Sequence, residues 1–383
     1  MSTYQYYEFK AVDRPLTSAQ QAALRKLSSR ADISTTRFVN FYNYGDFRGD
    51  PDRLMERYFD VFVYVSNWGS RELQFRLPRK LFDPALARPY LREDVVSLRT
   101  KGEHVILKFR VDQDAGDWEE GEGWLDELLP LREALLVGDL RALYIGWLAG
   151  SAWSGDEDDE DTDEEDGGDE ALAPPVPPGL GERSNALRAL ANFLFVPQNL
   201  IAASAKANPA PLSSSVSKQA LAQWLSTLPT SEKDSLLLRV IEGPEPLLGA
   251  ELLHRFRAAH PLEQDAQGRG ARRTVRELRA KASAHEVERE QREARKAARA
   301  RARELEALAA RESEVWREVD ALFATRSPND HTQGVQLLVD LRELAQHRGT
   351  LADFQRKFAD IRERNARRQA LMRRMDEAGL GLS

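Results

Sequence analysis

The hydrophobic and polar positions of the first hundred residues alternate between strand-like and helix-like spacing. An aromatic run ahead of Asp13-Arg14-Pro15 predicts a strand that ends at this turn. Thr17 or Ser18 is predicted to cap a helix that runs to about residue 29. Asp50-Pro51 predicts a second helix start, because an acidic N-cap followed by proline is typical of that position. Helical spacing continues over residues 54–65.

Further strands are predicted in the same half of the chain. Residues 35–44 and 71–77 alternate between apolar and polar positions, as half-buried strands do. Residues 95–98 and 104–111 are predicted to form a hairpin around Thr100-Lys101-Gly102. We therefore expect a mixed, mostly antiparallel sheet with helices on one face.

From residue 124 onward, the apolar positions follow helical spacing, except in an acidic and proline-rich stretch. Short helices are predicted over 184–260, a long helix over 271–312 and a helical hairpin over 334–364. The long helix has almost no apolar stripe and consists mainly of alanine, arginine and glutamate, which are strong helix formers. The predicted fold class is α+β: an N-terminal, mostly antiparallel sheet with helices, followed by an all-α half with a long charged helix and a helical hairpin.

Composition divides the chain into five predicted segments. The formal net charge is −7, but twelve acids and no base lie between residues 156 and 170, so the remainder carries +5. Such an acidic run cannot bury enough apolar surface to order itself, and a proline-rich stretch follows it. The predicted segments are an α+β domain (1–153), a disordered acidic and proline-rich linker (154–180), a small helical domain (181–262), a long charged helix (268–312) and a C-terminal helical hairpin (313–383).

The absence of cysteine excludes disulfides, thiolate metal sites and cysteine nucleophiles. A reducing cytoplasm is the expected location, since the first thirty residues also lack the apolar segment of a signal peptide. The most apolar stretch, residues 128–153, contains Arg132, Glu133, Asp139 and Arg141, so no membrane span is predicted.

Motifs for catalysis or metal binding are incomplete. His285-Glu286-Val287-Glu288-Arg289 begins like a zinc-protease helix, but Arg289 replaces the second histidine. The acidic loop after Val111 resembles a calcium loop, but its glycine and its twelfth residue do not fit that pattern. We therefore predict no cofactor, no metal and no catalytic residue from a motif.

The long helix carries a row of cations on one face. Arg292, Arg295, Lys296, Arg299 and Arg303 are spaced so that their side chains share a side of the helix. Such a row could track a nucleic-acid phosphate backbone without sequence preference. The alternative is a solvated helix with ion pairs to interleaved glutamates, and this alternative is favoured.

The first domain has more aromatic residues than one face of a small sheet needs. Some of them should be exposed, and an exposed aromatic patch usually marks a partner site. The predicted partner-binding residues are Tyr6, Tyr42, Tyr44, Phe47 and Trp68. The alternative is a sheet that is covered on both faces, which would bury these rings.

Two parts of the chain carry a resemblance. The chain opens with Tyr6-Tyr7-Glu8-Phe9, Asp13-Arg14-Pro15-Leu16 and Asn43-Tyr44-Gly45-Asp46-Phe47. This opening resembles an uncharacterised bacterial protein family with no assigned activity. The tail runs from Trp316 through Val335-Gln336-Leu337-Leu338-Val339-Asp340-Leu341-Arg342 to Leu380. It is similar to the C-terminal helices of bacterial SWIM zinc-finger proteins, but without cysteines no zinc role is implied.

The function predicted from these observations is a non-catalytic, cytoplasmic adaptor or scaffold that binds a protein partner. One alternative is an accessory protein that binds nucleic acid through the basic helix. Another is an enzyme of unfamiliar type in the N-terminal domain. That enzyme would need a cleft holding two or more titratable side chains from the set Glu8, Asp13, Asp46, Asp60, Arg71 and His104.

Overall fold

The structure, a computed structural model, describes residues 3–113, 120–153, 171–206, 218–243, 245–260 and 273–380. The chain forms two compact units, a first unit over residues 1–286 and a second unit over 287–383. The acidic run at 156–170 lies outside the described residues.

A seven-stranded antiparallel sheet organises the first unit, with strand order β2-β3-β1-β4-β5-β7-β6. β1 lies inside the sheet, where Gln5 is opposite Tyr42 of β3 on one side and Ser66 of β4 on the other. The strands are β1 (Gln5–Lys10), β2 (Asp32–Ile33), β3 (Arg37–Tyr42), β4 (Val61–Ser66), β5 (Ser70–Pro78), β6 (Val96–Lys101) and β7 (His104–Asp112).

Side-chain caps begin three helices of the first unit, at Thr17, Asp50 and Ser184. Thr17 and Gln20 form a reciprocal capping box, and the Asp50 carboxylate accepts hydrogen bonds from the amides of Asp52 and Arg53. The helices are α1 (Ser18–Leu27), α2 (Pro51–Arg57), α3 (Trp124–Leu128), α4 (Pro130–Leu136), α5 (Arg141–Trp153), α6 (Asn185–Phe193), α7 (Gln198–Ala205), α8 (Lys218–Thr227), α9 (Thr230–Glu242), α10 (Leu248–Ala259) and the start of α11 (Val275–Ala310).

Helices cover both faces of the sheet, so the expectation of helices on one face is wrong. On one face, Phe9 and Phe38 pack with Leu24 of α1 and with residues of α2. On the other face, Phe75 and Leu107 pack with residues of α3 to α7. The central strands therefore bury both sides, which removes the alternation that marks a half-covered sheet.

The predicted helix over 54–65 is also wrong in its second half. α2 ends at Arg57, and Val61–Ser66 is strand β4. Both faces of β4 are buried, so its sequence is an almost continuous apolar run rather than an alternating one. Its β-branched and aromatic residues favour a strand, whereas their spacing also fits a helix.

Residues 171–206 pack into the first unit, which differs from the predicted linker and separate helical domain. Ala173 and Leu180 are buried in the core beside the sheet, and the Tyr90 hydroxyl donates to the backbone oxygen of Pro175 at 2.9 Å. Residues of α6 and α7 belong to that same core. The proline-rich stretch is therefore packed against the sheet domain where it is described.

The second unit is helical. It contains the later part of α11 and the helices α12 (Glu312–Ala324), α13 (Pro328–Arg348), α14 (Leu351–Arg364) and α15 (Gln369–Glu377). Leu305 and Leu308 of α11 join the apolar core of this unit. The predicted long charged helix and helical hairpin correspond to α11 and to α13–α14, and the α+β fold class is confirmed. Within the described ranges, no helix has the length and apolarity that crossing a membrane requires.

Candidate functional site

The five aromatic residues predicted to bind a partner do not share one surface. Tyr6 and Phe47 are buried in cores on opposite faces of the sheet. Tyr42 is half-buried, and its hydroxyl accepts a hydrogen bond from Asn40 Nδ2 at 2.6 Å. Tyr44 and Trp68 remain exposed, at 80% and 44% of their surface. The sheet is covered on both faces, as in the alternative interpretation.

Glu8 is buried, and each of its two carboxylate oxygens has a hydrogen-bond partner. Arg37 Nε lies 2.7 Å from Glu8 Oε1, and the Tyr6 hydroxyl donates to Oε2 at 2.8 Å. Burial, together with the charge of Glu8, raises the pKa of Tyr6 above its ordinary value. These bonds give Glu8 a structural role in joining β1 to β3.

Several of the predicted titratable side chains do meet, at one end of the sheet. We call this group the Asp60 cluster; it comprises Asp13, Asp60, Arg76, His104 and Arg132. Asp60 directly precedes β4, Arg76 lies on β5, His104 begins β7 and Arg132 lies on α4. Neither arginine is among the residues predicted for a site, because nothing local in the sequence indicates that they are buried.

Asp60 is fully buried, and four hydrogen bonds hold its carboxylate. Oδ1 accepts from Arg76 Nη2 at 2.7 Å and from Arg76 Nε at 3.1 Å. Oδ2 accepts from the backbone amides of Val12 at 2.7 Å and Asp13 at 2.9 Å. Burial alone would raise the pKa of Asp60, but the two arginines and the two amides lower it below its usual value.

Arg132 connects Asp13 to the rest of the cluster. Its Nη2 lies 2.7 Å from Asp13 Oδ2, and its Nε donates to the backbone oxygen of Arg76 at 3.1 Å. Burial raises the pKa of Asp13, and the nearby Asp60 charge adds to this effect. Burial and the charge of Arg76 lower the pKa of His104.

Opposite pKa shifts on neighbouring carboxyl groups are the pattern of an acid–base pair in an enzyme. In this cluster, however, each oxygen of Asp60 already accepts two hydrogen bonds from the protein. A carboxylate oxygen has two lone pairs, so Asp60 has none directed towards a substrate. The arrangement therefore supports a structural role for Asp60, joining the segment after β1 to β5.

α9 is orientated with its apolar residues towards solvent. We call Leu237, Leu238, Val240 and Ile241 the aliphatic face of α9; each is more than half exposed, and Ile241 is 78% exposed. No residue of α9 is buried. Its apolar positions follow helical spacing, which by itself gives no sign that they face outward.

The polar side of α9 is the side that contacts its neighbours. Arg239 Nη2 lies 3.1 Å from Glu245 Oε2 and 3.0 Å from Glu251 Oε2. Glu232 pairs with Arg255 of α10. These paired side chains are a quarter to about a third exposed, and they lie on the side of α9 away from its aliphatic face.

The five cations predicted on the long helix are all exposed in the structure, and we call them the basic stripe. Among the described residues, none of the five forms an ion pair with an acidic side chain. Arg301 lies on the other side of α11, where its Nη2 is 2.6 Å from Asp340 Oδ1 and 2.7 Å from Glu343 Oε2 of α13.

Within the described ranges, no group of three or more histidine, aspartate and glutamate side chains is placed to hold a metal ion. Comparison with protein-family models, with curated proteins and with solved structures gave no match. The resemblances of the opening segment and of the C-terminal helices therefore stay predictions.

Proposed function

We propose that this protein is a non-catalytic adaptor that binds a protein partner through the aliphatic face of α9. The observation that carries the proposal is the orientation of this helix, which has partly exposed ion pairs on one side and four solvent-exposed aliphatic side chains on the other. Large exposed apolar patches on soluble proteins are typical of interaction sites. A cytoplasmic location belongs to the same proposal, because the chain has no cysteine to protect or pair.

The free energy for binding would come from covering the aliphatic face. Complete burial of a leucine, isoleucine or valine side chain contributes about 1.5–3 kcal/mol relative to leaving it in water. Leu237 and Ile241 are one turn apart, with Leu238 and Val240 on either side of them. A surface of this shape fits an amphipathic helix that presents apolar residues at three- and four-residue spacing.

The charge around the face favours a basic partner. Asp234 and Glu242 are exposed acids at its margin, and in the part of the chain that the structure describes neither forms an ion pair. The nearby Lys233 Nζ donates to the backbone oxygen of Ser226 at 3.0 Å. We therefore infer that the partner helix carries lysine or arginine beside its apolar residues.

A displayed library of helical peptides, selected against the full chain, tests this proposal. We expect enrichment of peptides with an apolar stripe flanked by lysine or arginine. Their binding should weaken at least tenfold with Ile241→Asp. The matched control is Leu86→Asp, which makes the same kind of change at an exposed leucine elsewhere in the first unit.

The proposal fails if no peptide is enriched, if the enriched peptides are not basic and amphipathic, or if they bind Ile241→Asp as tightly as the wild type. It also fails if analytical ultracentrifugation shows a dimer that Ile241→Asp dissociates, because a second copy of the chain would then occupy the face.

A further inference from the structure

The second unit presents a strongly charged surface that the adaptor proposal does not use. The basic stripe extends from residue 292 to residue 303, which is about 16 Å along the helix axis at 1.5 Å per residue. No acidic residue lies between Glu293 and Glu304. From Arg295 to Arg303 the cations therefore form a row over about two turns of α11 with no acidic residue among them.

The packing of α11 determines where this row points. Leu305 and Leu308 are buried in the core of the second unit, and Arg301 pairs with Asp340 and Glu343. Successive residues of a helix are rotated by about 100°, so Arg299 and Arg303 lie on the side opposite Arg301. The contacts of Arg301 and the two leucines thus turn the basic stripe towards solvent.

The chemistry of this face distinguishes between kinds of partner. Protein interfaces are centred on buried aromatic or aliphatic anchors. The side chains beside the stripe include Ala300 and Ala302, and no aromatic residue occurs between Val287 and Val315. A face with cations and small side chains lacks such anchors, but it allows close approach to a surface of fixed negative charge.

We propose that the basic stripe binds the phosphate backbone of double-stranded nucleic acid, without sequence preference. Each cation neutralises a phosphate and releases a condensed counterion, which makes the affinity depend on salt concentration. A duplex fits better than a single strand, because the face has no aromatic ring on which an unpaired base could stack. This inference is independent of the aliphatic face of α9, and either can fail alone.

The test uses the full chain and a fluorescently labelled DNA duplex, with binding followed by anisotropy over a salt series. With five phosphate contacts, the logarithm of the association constant should fall against the logarithm of the salt concentration with a slope of about −4.5. The variant Arg295→Gln/Lys296→Gln/Arg299→Gln/Arg303→Gln should reduce the slope to about −0.9, and binding at low salt should weaken by at least about tenfold.

The control variant removes four exposed arginines from α12, α14, α15 and the turn before α15: Arg317→Gln/Arg356→Gln/Arg367→Gln/Arg373→Gln. It has the same net charge as the stripe variant and should bind the duplex within twofold of the wild type. Glutamine is a good helix former, and circular dichroism checks that both variants keep their helices.

Three results would overturn the proposal: no binding of the duplex at low salt, an equal loss of binding in the control variant, or tighter binding of polyglutamate than of the duplex. The last result would assign the stripe to an acidic polypeptide.

Discussion

Asp60 and Arg76 form a buried ion pair in which the guanidinium Nη2 lies 2.7 Å from the carboxylate Oδ1. Asp60 immediately precedes β4, and Arg76 is on β5. Because Oδ2 of Asp60 also accepts the amides of Val12 and Asp13, the pair connects the segment after β1 to two further strands. These contacts join β4, β5 and the segment after β1 at one end of the sheet.

Replacing Asp60 with asparagine should destabilise the first unit strongly. The change leaves Arg76, which is only 3% exposed, without its negative partner. Removing one member of a buried ion pair typically costs about 3–5 kcal/mol of unfolding free energy. Urea denaturation followed by tryptophan fluorescence would measure the difference.

The matched control is Asp126→Asn, which breaks the ion pair between Lys10 and Asp126 on the surface. Asp126 is 71% exposed, so the expected change is within about 0.5 kcal/mol. If the two variants lost equal stability, the Asp60 carboxylate would not have the role that its hydrogen bonds indicate.

Lowering the pH should destabilise the first unit, because Asp60 becomes protonated. Its pKa in the folded chain is below the ordinary 3.8, so the unfolded chain binds this proton more readily. The contribution of Asp60 to stability is therefore complete above pH 3.8 and is lost as the pH falls through the folded pKa. Unfolding free energy measured against pH should have a smaller slope below pH 4 in Asp60→Asn than in the wild type. An unchanged slope would show that other carboxyl groups cause the acid sensitivity.

His104 should stay neutral at a lower pH than an exposed histidine. Burial, with the charge of Arg76, lowers its pKa below 6.5, so the unfolded chain binds this proton more readily. Stability should decline as the pH falls through 6.5, and His104→Gln should remove that part of the decline. An NMR titration of the imidazole C–H signals gives the pKa directly, and a midpoint at or above 6.5 would contradict the expectation.

Gly334→Ala should destabilise the second unit, although alanine is the better helix former. Gly334 lies on α13, and an added Cβ would be 2.5 Å from the Phe323 ring of α12. Alanine gains about 1 kcal/mol in intrinsic helix propensity, whereas overpacking a core typically costs about 1–3 kcal/mol. We expect a net loss, measured as faster amide hydrogen exchange in α12 and α13.

Gly249 of α10 provides the comparison, because beyond its own helix backbone and chain neighbours no described atom lies within 4 Å of the position a Cβ would take there. Gly249→Ala should stabilise α10 by up to about 1 kcal/mol, seen as slower hydrogen exchange. If Gly334→Ala behaved in the same way, the contact with Phe323 would not be restrictive.

The elements that the sequence predicts well are those with a local physical signal. Thr17, Asp50 and Ser184 all cap helices, because their side-chain oxygens reach the first free amides wherever the surrounding chain lies. The prediction of a helix over Val61–Ser66 was wrong for the opposite reason. This segment forms a strand whose two faces are buried by helices from distant parts of the chain. The spacing of its own residues carries no information about those helices.

The candidate sites also differ in whether a local sequence signal predicts them. The basic stripe was predictable, because helical spacing alone places Arg292 to Arg303 on one side. For the Asp60 cluster, the sequence offered Asp13, Asp60 and His104 as candidates but neither arginine, since the members come from five separate segments. The exposure of Ile241 was not predictable either, because the partners of Glu232 and Arg239 on the other side of α9 lie on other segments of the chain.

The position of β1 has a consequence for how this chain can be shortened. Residues 5–10 are hydrogen-bonded on both sides, to β3 and to β4. Deleting them would remove an interior strand and leave the facing peptide groups of β3 and β4 without hydrogen-bond partners. A trimmed protein should therefore aggregate or be degraded rather than fold with a frayed end.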